Sequence, residues 1–141
     1  LSGRPVRIVA NPTPDGDMLS SVRCGLRALP DQCAAVLVAL GDHPAVTPQL
    51  IDAMIAAFHA TGMRIVVPVC GGRRGHPLLF SGDCRQEVLT RYDGIGLRGL
   101  LDAHGDEVLE LEVADPAVLS DMDSPEEYAR EIARLEEKRG N

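Results

Sequence analysis

Three short segments combine residue types that could do chemistry. The first is Gly41-Asp42-His43-Pro44, directly after the apolar run Ala34–Leu40 (AAVLVAL). Gly41 permits a sharp turn, and Asp42 then presents a carboxylate. Such a carboxylate can hold Mg²⁺, which takes one or two carboxylates together with phosphate oxygens and waters. The same side chain could instead cap the turn that leads to Thr47. The second segment is Asp121-Met122-Asp123-Ser124-Pro125. Its two acids could add metal ligands, or could simply favour the dipole of the helix that follows. The third is Gly71-Gly72-Arg73-Arg74-Gly75-His76-Pro77. Glycine-rich backbone approaches an anion closely, and Arg offers a fork suited to phosphate or carboxylate. A solvated hairpin is the plainer alternative.

A fourth segment, Gly16-Asp17-Met18-Leu19-Ser20-Ser21 followed by Gly25-Leu26, reads as a loop entering a helix. Its hydroxyls and free N–H groups either cap the helix or read a polar ring or an anion. His43, His59 and His104 have no sequence partner.

These segments need a frame. Val6–Ala10 reads as a strand. Leu19, Val22, Leu26 and Leu29 recur at helical spacing, and Pro30 ends that helix. Ala34–Leu40 has no polar face, which predicts a strand covered on both sides, as in a parallel sheet. Thr47 as N-cap, Pro48 at the first helical position and Gly62 as C-cap delimit another helix. Its expected buried stripe is Leu50, Ile51, Met54, Ile55 and Phe58. Arg64–Pro68 reads as a strand and Pro77–Phe80 as an extended piece. Gln86–Leu89 and Leu97–Ala103 read as short helices. Val108–Val113 alternates apolar and acidic residues, as a strand with one wet face does. Ser124-Pro125-Glu126-Glu127 is a capping box opening a last helix. The alternation of strand and helix predicts a parallel sheet with helices on both faces. In such sheets ligands bind outside the carboxyl ends of the strands.

Composition narrows the partners. The chain has 141 residues, enough for one core. Its net charge of −7 argues against nucleic acid and anionic membranes, which need a basic footprint. Lys138 is the single lysine among the 14 basic residues, so an anion must be met by Arg or by backbone N–H groups. The four cysteines lack CxxC spacing and read as reduced thiols of a cytoplasmic protein. No apolar stretch approaches the roughly 20 residues that a membrane span needs.

Taken together, four segments resemble the MobA-like nucleotidyltransferases, and among them most nearly the molybdenum cofactor cytidylyltransferases. They are Gly16 to Pro30, Leu40-Gly41-Asp42-His43-Pro44, Val67 to Phe80 with its Arg73-Arg74-Gly75-His76-Pro77 core, and Asp121 to Glu127. The resemblance implies an α/β, Rossmann-like three-layer fold with a mostly parallel sheet, as one partial domain over residues 1–141. It implies transfer of CMP from CTP to molybdopterin or its molybdenum form, with release of pyrophosphate. By the same match Asp42 and Asp123 are the catalytic acids, and together with Asp121 they ligate Mg²⁺. Ser20, Ser21, Gly25 and Gly41 join Asp42 around the nucleotide, with the two serines beside the base. Arg73, Arg74, Gly75, His76 and Pro77 face the acceptor. A xanthine-dehydrogenase-family molybdoenzyme is the implied protein partner. The family opens with a strand and a triphosphate-cradling loop of the form LAAGxSxRMGxxK. No segment here matches it, so the resemblance implies an N-terminally truncated domain. The alternative is a non-catalytic module, binding the cofactor or chaperoning a molybdoenzyme, that has lost this loop.

Overall fold

The computed structural model describes residues 3–13, 15–41 and 46–119, and further on 133, 136, 137 and 140. The elements are α1 (Met18–Ala28), β1 (Ala35–Val38), α2 (Pro48–Thr61), β2 (Ile65–Cys70), β3 (Arg73–Arg74), β4 (Leu78–Ser81), α3 (Arg85–Thr90), α4 (Arg98–Ala103) and β5 (Val108–Glu112). Short 3-10 turns precede α3 and β5, and another spans Pro116–Leu119.

Local chemistry explains the helix ends. Asp17 accepts the Ser20 N–H and so caps α1. Thr47 accepts the Leu50 N–H at the start of α2, and Pro48 follows it. Gly62, at φ 68°, closes α2 in the left-handed conformation. The buried stripe of α2 is narrower than its spacing suggests. Met54 is fully buried with Leu50 and Phe58 packed nearby, whereas Ile55 turns to solvent at 40% exposure.

The sheet is mixed. β4 lies between β1 and β2 and runs antiparallel to both, in register Val36↔Phe80 and Ile65↔Phe80. β5 pairs with β2 in parallel, from Ile65↔Val108 to Val69↔Glu112. β3 pairs briefly with the end of β2. β1, β2 and β5 therefore share one direction, and the expected parallel set holds for them, with β4 inserted against it. The inversion follows from the chain itself. The short Gly71-Gly72 turn folds the chain straight back along β2, which only an antiparallel strand permits.

Successive residues point to opposite faces. Val36, Ile65, Val67, Leu78 and Phe80 pack with Leu19 and Leu26 of α1, Val88 of α3 and Leu100 of α4. Ala35, Leu37, Val66, Leu79, Leu109 and Leu111 pack with Met54, Leu50 and Phe58 of α2. The result is helix, sheet, helix, with a dry interface on each side. Arg23 ties α1 to the far end of α3. Its guanidinium donates to the carbonyls of Val88 and Arg91 and pairs with Asp93.

Two expectations are not met in full. Val6–Ala10 joins no strand among the described residues, and Ile8 is 82% exposed. Apolar, β-branched residues favour a strand only where a neighbour pairs with them. β1 is covered on both faces only in part: Val36 packs toward α1, and Ala35 and Leu37 toward α2. It forms an edge of the described sheet, and of its residues only Val36 is buried. The last predicted helix, from Ser124, lies outside the described residues.

Candidate functional site

The shared direction of β1, β2 and β5 brings their carboxyl ends to one edge of the sheet. Two cavities open there. The first, of about 430 Å³, runs between α1 and the open side of β1. Ser21 and Gly25 line it from the helix, and Gly41 from beyond the strand. The second, of about 490 Å³, is lined by Arg74, Gly75 and His76 and by the start of α4. Met18, at the first turn of α1, lines both.

The two serines differ in what they can offer. Ser20 donates its hydroxyl to the Asp17 carbonyl at 2.8 Å and accepts Asn11 Nδ2 at 2.9 Å. Its proton is committed to the helix cap. Ser21 accepts from the same Asn11 nitrogen at 3.1 Å and lines the cavity. The orientation of Asn11 is settled by its oxygen, which accepts the Thr13 N–H at 2.9 Å, so its nitrogen must face the serines. The Ser21 hydroxyl donates to no group among the described residues. Sequence reasoning missed Asn11. Its place ahead of Pro12 at a loop start is too common to single it out.

On the other side, Gly75 donates to the Pro68 carbonyl at 2.8 Å and His76 donates its main-chain N–H to Val118 at 2.9 Å. A side chain at Gly75 would collide with the Val118 carbonyl, so glycine is required by close approach. Arg74 is not free. Its Nε and Nη2 both lie 2.8 Å from Glu110 Oε1 on β5. Arg73 is exposed on β3. Pro77 follows a cis peptide and is fully buried, so it belongs to the core beneath the loop. Asp42, Asp121 and Asp123 lie outside the described residues. Among the described residues no group of three or more His, Cys, Asp or Glu could hold a metal ion.

The strongest electrostatic cluster lies elsewhere, toward the amino ends of β2 and β5. Glu87 of α3 accepts the Tyr92 hydroxyl and contacts His104 Nε2 at 2.9 Å. His104 Nδ1 reaches Glu107 at 3.2 Å. The Tyr92 hydroxyl bond pulls Glu87 below the usual carboxylate range, with His104 adding to the effect. The two carboxylates raise His104. Burial, with help from Glu87, pushes Tyr92 up to about 12. Burial also raises Cys84 beside them. Tyr92 sits at φ 73°, and its ring covers Gly99, where no side chain would fit. The cluster fastens α3 to α4. The four cysteines are free, and among the described residues no helix is long and apolar enough to cross a membrane.

A three-layer α/β domain with cavities at the carboxyl edge of its parallel strands opens where sheets of this kind bind their ligands. The MobA-like NTP transferase domain matches residues 1–108, and the chain belongs to that family. It is 25% identical over 123 residues to the molybdenum cofactor cytidylyltransferase of Escherichia coli (strain K12), a match covering 87% of this chain. The chain spans 60% of that relative's length. Among solved structures it is similar to Rv0371c of Mycobacterium tuberculosis H37Rv, with a TM-score of 0.69 at 25% identity, covering 82% of this chain and 59% of that one. It is also similar to a structure of Rv0371C in complex with manganese, with a TM-score of 0.61 at 26% identity, covering 78% and 58%.

Proposed function

We propose that the chain serves a cytoplasmic cytidylyltransferase, moving CMP from CTP to a phosphorylated pterin of the molybdopterin type. The observation that carries this reading is the pair of cavities meeting at Met18, one bearing Ser21, Gly25 and Gly41 and the other Arg74, Gly75 and His76. Transfer between two substrates needs two adjoining sites, and holding the reactants in line is most of the catalytic task. An oxygen of the acceptor phosphate attacks the α-phosphorus of CTP. The bond from that phosphorus to the bridging oxygen breaks, and pyrophosphate leaves.

Asp42, Asp123 and Asp121 are the carboxylates that would hold Mg²⁺, and their hard oxygen donors suit that ion. The ion supplies neutralisation of the phosphate charge. Ser21 donates to the base, and Gly25 and Gly41 let the nucleotide approach the backbone. Ser20 supports Ser21 through Asn11 and the cap. Gly75 and His76 bound the acceptor cavity, with Arg73 at its approach and Pro77 beneath. A molybdoenzyme of the xanthine-dehydrogenase family is the proposed recipient of the product.

Calorimetric titration with CTP and with GTP, in the presence and absence of Mg²⁺ and a pterin phosphate, tests the reading. Mg²⁺-dependent binding that prefers CTP and is lost in Asp42→Asn is expected. No nucleotide binding even with pterin present would sink the enzyme reading and leave a cofactor-binding module.

A further inference from the structure

The larger of the two cavities holds charged residues outside the motifs that carry the family match. Two guanidinium groups line it, from Arg74 and Arg98. Arg74 is already engaged by Glu110 through two contacts of 2.8 Å. Arg98 is exposed and makes no ion pair or side-chain hydrogen bond among the described residues. Asp102 lines the same cavity, also without an ion pair among the described residues. The two are four residues apart on α4, so both project from one side of the helix. Around them the wall is mostly apolar, formed by Met18, Val67, Leu78, Ile95 and Leu101, with His76 as a further polar residue on it. Ile95 is 61% and Met18 43% exposed, so among the described residues the rim of the cavity is greasy and open.

A simple anion suits this cavity poorly, because Asp102 would repel what Arg98 attracts. A neutral apolar ligand would leave both charges unmatched. A ligand with an anionic end, a flat body and an N–H edge satisfies all three kinds of wall. A pterin phosphate is such a molecule. Its 2-amino-4-oxopyrimidine edge offers two parallel N–H donors, the pattern a carboxylate accepts, and its phosphate suits the guanidinium fork.

We propose that Arg98 and Asp102 are the specificity-determining pair for the acceptor: Arg98 holds its phosphate and Asp102 the N–H edge of its heterocycle. The assignment takes its acceptor class from the function proposed above.

Quenching of pterin fluorescence tests it, with 6-hydroxymethylpterin phosphate and unphosphorylated 6-hydroxymethylpterin titrated into the full chain. The wild type should prefer the phosphate ester by about 10- to 100-fold, the range of a charge-assisted hydrogen bond. Arg98→Ala should bind both pterins equally, and Arg98→Lys should recover part of the preference. Asp102→Asn should weaken both pterins by about tenfold and leave their ratio intact. CTP affinity and melting temperature should stay at wild-type values in all three variants. A wild type without preference, or a preference that survives in Arg98→Ala, overturns the assignment of Arg98. Unchanged pterin affinity in Asp102→Asn overturns that of Asp102. Failure of the enzyme reading is separable: CTP binding would be lost in the wild type while the pterin results stand.

Discussion

Replacing Glu87 by Gln probes how α3 and α4 are held together. Glu87 receives the Tyr92 hydroxyl and one nitrogen of His104, and its side chain is only 20% exposed. A glutamine oxygen can still accept one of these bonds, so the net loss is about one hydrogen bond to a buried charge, roughly 2 kcal/mol. For a chain of this length that lowers the melting temperature by about 8 °C. The pH dependence should change as well. His104 is raised above its ordinary value of 6.5, so its contribution is complete below that pH and is lost as pH rises through the raised value. Glu87 is lowered from 4.5, so its contribution is present above that pH and is lost as pH falls through the lowered value. The wild type should therefore be most stable between these two ordinary values and weaken on the alkaline side. Melting curves by circular dichroism at intervals from acid to alkaline pH give both quantities. The network reasoning is refuted if Glu87→Gln melts within about 2 °C of wild type at pH 6 and loses stability on alkalinisation just as steeply.

Three further outcomes follow from the site. Gly75→Ala should cost about 1–3 kcal/mol, read as a lower urea midpoint, because the added methyl meets the Val118 carbonyl and neither main chain can withdraw without breaking a hydrogen bond. Ser20→Ala should lower stability by about 1 kcal/mol with near-normal CTP affinity, whereas Ser21→Ala should leave the melting temperature alone and weaken CTP several-fold in calorimetry. Asn11→Ala should do both, and its effect on CTP should disappear in a Ser21→Ala background, a non-additivity that a double-mutant cycle reads directly.

Much of the frame was legible because it is written locally. Thr47-Pro48 and Gly62 mark both ends of α2 through their own backbone preferences, and the alternation in Val108–Glu112 puts Glu110 and Glu112 on the wet face. What escaped depends on residues far apart in the chain. The position of β1 at the edge is set by β4 pairing across from it, and no property of AAVLVAL states which strand that will be. Ile55 is as apolar as Met54 and Leu50, yet it stays outside the cluster that packs α2 on the sheet. His104 looked solitary because its partners, Glu87 and Glu107, are joined to it by folding. The same holds at the candidate site. Gly41, Ser21 and Gly25 could be named from their segments, but the difference between Ser20 and Ser21 arises from Asn11, nine and ten residues earlier.

The contact between Gly75 and Val118 also joins two segments of the proposed site that sequence order keeps apart. His76 donates to Val118, and Gly75 lies against the same carbonyl, so the arginine loop rests on the 3-10 turn Pro116–Leu119. That turn is the stem from which the chain proceeds to Asp121 and Asp123. Loop and stem therefore share one mechanical fixture, and a displacement of either is felt by the other. By thermodynamic reciprocity, a ligand that steadies the stem also steadies the loop, and does so by the same free energy with which a ligand on the loop steadies the stem.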